Sequence, residues 1–369
     1  LRRSSAASDV YKRQASRVGA LLARDEVMFQ GHPVVVVVGE TPQAAWDGAS
    51  AIDIDYEEMD VVPDIATALK PDAPLVWPNG IPEDESDVSS DHGAEKGVYE
   101  ELEFLPPNVH AGGRCSRGDI EQGFAEADLV LERCYHTGIV HQGYLEPQVC
   151  LASPDPTGSM TIYTSTQGPR TIHKDVARLL DLPHSSINVV PMTVGGGFGG
   201  KHGLLEPLAV AVALEMKAPV KLELSRTEDF MTSMPAPAAR VWLKMGVRKD
   251  GAICAIQAEI DIDNGVYAAA SWCELLARLL ASGYKTPNLK IDCREVLTNK
   301  PMAGPYRAPT AQTASFAMES HMDDLARSLN LDPVEFRIKN AASAGDPMVH
   351  GRPWPSLGLK ECLSALKES

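Results

Sequence analysis

Two stretches that alternate with period two, Val241 to Val247 and Ile253 to Ile262, flank Lys249-Asp250-Gly251 and predict a β-hairpin. The runs Leu129 to Tyr135, Met160 to Thr166, Ile187 to Met192 and Val220 to Leu224 read as further strands. Between them, apolar residues at helical spacing predict helices from Asp119 (cap) to Ala127, Thr171 to Leu180 and Leu204 to Met216. A helix from about Thr310 to Leu329 would place Met318, Met322, Leu325 and Leu329 on one face. Asp332-Pro333-Val334-Glu335 then reads as a cap, a first-position proline and a capping-box partner.

A smaller unit precedes these elements. Val27 to Phe29 and Val34 to Val38 read as strands around Gly31-His32-Pro33. Thr41 caps a helix that has Pro42 first and runs to Ala51, and Ile52 to Tyr56 alternates as a strand. Pro71 to Pro107 is rich in Pro, Asp, Glu and Ser and shows no period. The expected organisation is a non-native scar at residues 1–14, a small unit at 15–75, a linker at 76–107 and a large unit at 108–369, an α+β class overall.

Composition narrows the function. The 369 residues carry a net charge of −16, which argues against a nucleic-acid or anionic-membrane surface as main partner. No apolar stretch approaches the ~18 residues that cross a bilayer. The seven cysteines form no C-x-x-C pair, a pattern of scattered thiols in a cytoplasmic protein and not of a zinc or iron–sulfur site. The ten histidines contain no H-E-x-x-H, so no metal site is read from them. No secretory signal is visible, and the absence of a true start leaves a periplasmic location open.

The segment from Gly195 to Lys201, GGGFGGK, carries the candidate chemistry. It lies between a strand and a helix, where backbone amides favour phosphate and oxyanions. As G-x-G-x-x-G, Gly195, Gly197 and Gly200 fit a dinucleotide fingerprint, with Glu223 near the position of a ribose acceptor. As a phosphate loop it fails at His202, which replaces the hydroxyl that would hold Mg²⁺. The remaining reading is a tight turn that lets helix and strand pack closely. Taken alone, the dinucleotide and plain-turn readings are balanced.

Its company carries a resemblance. Gly195 to Lys201 with Glu206-Pro207 and Pro219 to Arg226 resembles the molybdenum-subunit loop of the xanthine dehydrogenase and aldehyde oxidase family. His141 to Pro147 resembles the Glu-Pro segment that starts that family's molybdenum domain. Thr164 to Gln167, Pro305 to Pro309 and Met322 through Asn340 are similar to three more of its segments, in the same order. Val34 to Val38 with Tyr56-Glu57-Glu58 resembles its α/β hammerhead domain. The fold thus implied is a partial hammerhead followed by the first half of a molybdopterin-binding domain.

The resemblance implies a molybdenum–molybdopterin cofactor, with or without an added cytosine nucleotide, that hydroxylates an aldehyde or N-heterocycle with oxygen from water. It also implies [2Fe-2S] clusters and FAD on partner subunits, a dimer of heterotrimers, and a further half of the large subunit. Gly196, Gly197, Phe198, Gly199 and Gly200 would lie against the cofactor, with Gln167 donating its amide to a metal oxo ligand. Arg307, Lys201 and His202 would face substrate. His202 stands where purine-oxidising relatives carry glutamate, which puts xanthine in doubt, and no glutamate here matches the family's general base. The isolated chain is therefore expected to be inactive.

Overall fold

The computed structural model describes residues 21–23, 25–81, 99–267 and 272–368. The expected scar at 1–14 and the middle of the expected linker lie outside these residues.

Among the described residues, ten strands form two sheets. The larger has the order β1-β2-β10-β9-β8-β3, built from β1 (Glu100–Glu101), β2 (Val109–Arg117), β3 (Leu129–Thr137), β8 (Ala239–Val247), β9 (Ile253–Asp263) and β10 (Asn288–Val296). The predicted hairpin is β8–β9, paired from Ala239↔Ile262 to Val247↔Ile253. Its turn needs Gly251, whose φ of 81° lies in the left-handed region. Alternation drives burial: Val241, Leu243, Met245 and Val247 are fully buried with Ile256, Ala258, Ile260 and Ile262. Two helices cover that face, Trp272–Ala281 through Leu276 and Leu280, and Ala311–Ser328 through Met318, Met322 and Leu325. The predicted apolar stripe of the latter helix is thus the core-facing one.

The smaller sheet has the order β6-β5-β4-β7, from β4 (Val149–Pro154), β5 (Met160–Thr164), β6 (Ile187–Pro191) and β7 (Val220–Glu223). β5 and β6 are parallel and joined through helix Pro169–Leu180, while β4 pairs antiparallel with β5 and β7. Ile162, Ile172, Val176, Leu205, Ala209 and Val210 form its core. The glycine segment leaves the end of β6, as the sequence indicates.

Several expectations fail. Residues 34–38 and 52–56 are not strands, and among the described residues neither run joins a ladder. Val35 and Val38 are 40% and 44% exposed. A valine run has strand propensity, but a strand exists only where a neighbour takes its hydrogen bonds. The helix after the glycines starts at Glu206 and not Leu204, because the Glu206 carboxylate turns back to accept from Leu204 N–H at 2.9 Å. Asp332 caps helix Pro333–Asn340 through Val334 N and Glu335 N, but the Glu335 carboxylate pairs with Lys367 and does not close a box. A complete capping box occurs at Ser225 and Glu228.

The first residues of the expected linker pack on the large unit. Val76 is buried with Val109, Val266 and Val296, and Trp77 Nε1 donates to Val266 O at 2.7 Å. Asn108 holds this region by accepting from Val76 N and donating to Pro74 O.

Candidate active site

The glycine segment rests on a stripe of alternate residues. Gln142, Tyr144 and Gln148 are buried, Glu146 is half-buried, and Leu145 between them is 91% exposed. Each stripe residue meets the loop. A Cβ on Gly200 would lie 2.8 Å from Gln142, and one on Gly196 3.0 Å from Tyr144. Glu146 Oε2 accepts from Gly195 N–H at 2.7 Å, and Gln148 Nε2 donates to Gly200 O at 2.8 Å. Tyr144 is fixed from below by donating its hydroxyl to the buried Asp229 at 2.8 Å.

Gln167 follows β5 and approaches the loop from the other side. Its Oε1 accepts from Gly199 N–H at 2.9 Å and from Lys201 N–H at 3.4 Å. Backbone donors need an oxygen, so these bonds decide which way the amide points. The NH₂ group has no partner among the described residues, and the residue is exposed. The loop approaches so closely that a Cβ at Gly197 would lie 2.4 Å from Gln167 Oε1.

Phe198 forms the tip. It is 49% exposed and holds a φ of 52°, rare for a bulky residue. Its carbonyl accepts from Arg307 N–H at 2.9 Å, which seats the segment 305–309 beside the loop. Gly199 is required there, since its φ is +105° and a Cβ would lie 2.2 Å from Pro305 O. Arg307 is exposed, and its guanidinium has no partner among the described residues. The backbone N–H groups of Gly196, Gly197 and Phe198 are likewise unpaired there. His202 is half-buried against Gly168, next to Gln167.

Lys201, expected to face substrate, turns its side chain inward. It is fully buried, with Nζ 2.6 Å from Glu146 Oε2 and 3.0 Å from Ser165 Oγ. A lysine at the end of a surface loop is ordinarily solvated, so its sequence position gives no sign of this. Sequence reasoning also misses the stripe from Gln142 to Gln148 as a unit. The period-two polar pattern around an apolar Leu145 is the signal that could have found it.

The geometry removes the dinucleotide reading. In that fold the strands flanking the first helix are parallel neighbours. Here β6 and β7 sit at opposite edges of their sheet, and β7 runs antiparallel to β4. The helix N-terminus is taken by Glu206, its own buried carboxylate, and Glu223 pairs with Lys221. What the loop offers is unpaired backbone N–H groups, one outward neutral amide donor and one cation. That donor set, on a backbone stripped of Cβ atoms, suits oxygen-rich ligands of a large anionic cofactor.

Comparison with known proteins points the same way. Residues 102–341 match the molybdopterin cofactor-binding domain family. The nicotinate dehydrogenase large molybdopterin subunit of Eubacterium barkeri is 31% identical over 94% of this chain and 76% of its own length. The xanthine dehydrogenase molybdenum-binding subunit of Escherichia coli is 30% identical over 93% of this chain and 43% of its own. Quinoline 2-oxidoreductase from Pseudomonas putida 86 has the same fold, with a TM-score of 0.83, 24% identity and coverage of 98% of this chain and 46% of that one. This chain belongs to the molybdopterin-binding large-subunit family of molybdenum hydroxylases. It spans three-quarters of the first relative's length and under half of the other two.

Proposed function

We propose that this chain supplies the glycine loop, the Gln167 amide and the Arg307 guanidinium to the molybdopterin centre of a hydroxylase that oxidises an aldehyde or an N-heterocycle. The observation that carries this is the Gln167–Gly199 bond, which occupies the amide oxygen and turns the NH₂ outward beside unpaired backbone donors. When bound, the molybdenum–pterin group supplies the oxygen-transfer and two-electron redox chemistry. Gln167 and the N–H groups of Gly196 to Phe198, which have no partner among the described residues, would hold the group without adding charge. Phe198, half exposed beside the loop glycines, would screen the centre from water. Arg307 stabilises negative charge that develops on substrate oxygen. By the resemblance, His202 stands where purine-oxidising relatives carry glutamate, which disfavours purines. Nicotinate, in the name of the first relative, is an N-heterocycle bearing a carboxylate, a charge that Arg307 suits.

The general base comes from polypeptide outside this chain. Glu146 reaches the loop, and burial alone would raise its carboxyl. Hydrogen bonds from Lys201, Ser165 and Gly195 overcome that and hold it below the usual range, which makes it a poor proton acceptor. The reading includes a hammerhead portion at 15–75, a connection at 76–107 and a cofactor domain at 108–369. Partner subunits carry the [2Fe-2S] clusters and FAD in a cytoplasmic dimer of heterotrimers, and the cofactor is molybdopterin with or without an added cytosine nucleotide. The isolated chain is inactive. Assaying it with and without the completing polypeptides tests this: turnover only in the assembled complex is expected, and turnover by the isolated chain refutes it.

A further inference from the structure

We infer that Lys201, Glu146 and Ser165 form a positioning unit that fixes the glycine loop against which molybdopterin would bind, an inference that rests on the cofactor reading above. Three donors converge on one atom, Glu146 Oε2: Gly195 N–H at 2.7 Å, Ser165 Oγ at 2.5 Å and Lys201 Nζ at 2.6 Å. Gly195 opens the loop, Lys201 closes it, and Ser165 follows the last residue of β5. One carboxylate oxygen thus ties both ends of the loop to the neighbouring strand. Lys201 Nζ also donates to Ser165 Oγ at 3.0 Å and lies 5.0 Å from the centre of the Tyr144 ring.

The cost of the arrangement points to its role. Lys201 is 0% exposed, so it meets no ligand and acts only through the backbone it holds. A buried ion pair is a weak source of stability, and an apolar pair of similar volume would serve as well. Its gain here is register. The five glycines bring no side chains of their own to lock a backbone, so the loop depends on directed bonds at its ends. The Glu146 side chain is 32% exposed, so losing Lys201 lets it turn to solvent and abandon Gly195 N–H.

Three variants test this: K201M, S165A and E146Q. Amide hydrogen exchange of the peptide 194–203 is measured on the full chain, and retained pterin and molybdenum on the complex assembled with its partner chains. K201M should keep its thermal midpoint within about 3 °C of wild type. It should still speed loop exchange and lower cofactor retention, each by about tenfold. S165A should shift both in the same direction by less, and its outcome stands if K201M does not fold. E146Q should be the most severe, because it leaves the buried ammonium unpaired. Wild-type loop exchange in K201M and S165A overturns the inference, as does fast exchange with undiminished cofactor retention. A wild-type complex without pterin overturns the cofactor reading instead, and loop exchange then judges the anchor alone.

Discussion

Gln167 accepts from Gly199 N–H through its side-chain oxygen at 2.9 Å, and this bond leaves the NH₂ group of an exposed residue without a partner among the described residues. The bond joins the end of the β5 strand to the loop that follows β6, two elements held side by side by parallel pairing from Met160↔Ile187 to Thr164↔Pro191. The sheet therefore aims the amide.

Replacing Gln167 by Glu separates structure from chemistry. A carboxylate oxygen still accepts from Gly199, so unfolding free energy should change by no more than ~1 kcal/mol. The outward donor becomes a negative acceptor, and turnover of the assembled complex should fall by about 10²–10³. Chemical denaturation and steady-state kinetics read the two effects. Wild-type turnover in Q167E would remove Gln167 from the site.

The glycines differ in what they tolerate. G199A meets Pro305 O at 2.2 Å with a φ of +105°, and should cost ~2–4 kcal/mol in denaturant unfolding. G143A has a φ of +67° but nothing within 4 Å, and should cost about 1 kcal/mol. Equal costs would mean that backbone conformation alone, and not the approach of the segment 305–309, demands glycine at 199.

Stability should also carry a pH signature from the large sheet. Burial pushes the Glu295 carboxyl up to about 8, against weaker opposing bonds from Cys273. Above its unfolded value of 4.5 the folded state holds a proton that the unfolded state has lost, so stability falls as pH rises towards 8. Burial moves His110 and His321 down to about 4, so below 6.5 the unfolded state binds the extra protons and stability rises with pH. The curve should descend from pH 6.5 to 8, and E295Q should flatten that limb. An unchanged descent in E295Q would show that Glu295 is already ionised in the native protein.

The loop should not bind NAD. Its sheet places β6 and β7 at opposite edges, and Glu206 fills the helix start with negative charge. Titration calorimetry at millimolar NAD should give no binding heat, whereas saturable heat abolished by G199A would revive the dinucleotide reading.

Much of this arrangement is legible in the sequence where a period and a cap agree. The β8–β9 hairpin, the helix Ala311–Ser328 and the strand before the glycines follow from alternation, helical spacing and turn residues. The valine run at 34–38 misleads because propensity cannot show whether a neighbouring strand exists. Gln167, the glycines and Arg307 stand out through the order of their segments, and the structure brings them together. The burial of Lys201 is invisible because its partners stand 55 and 36 residues away. Side-chain pairing over such separations leaves no local pattern to read.

The proposal that this loop lies against molybdopterin has a direct chemical test. The most direct measurement is the metal and pterin content of the complex purified with its partner chains, by elemental analysis and by fluorescence of the oxidised pterin. About one molybdenum and one pterin per copy of this chain is the predicted result. A correctly assembled complex with neither would contradict the account.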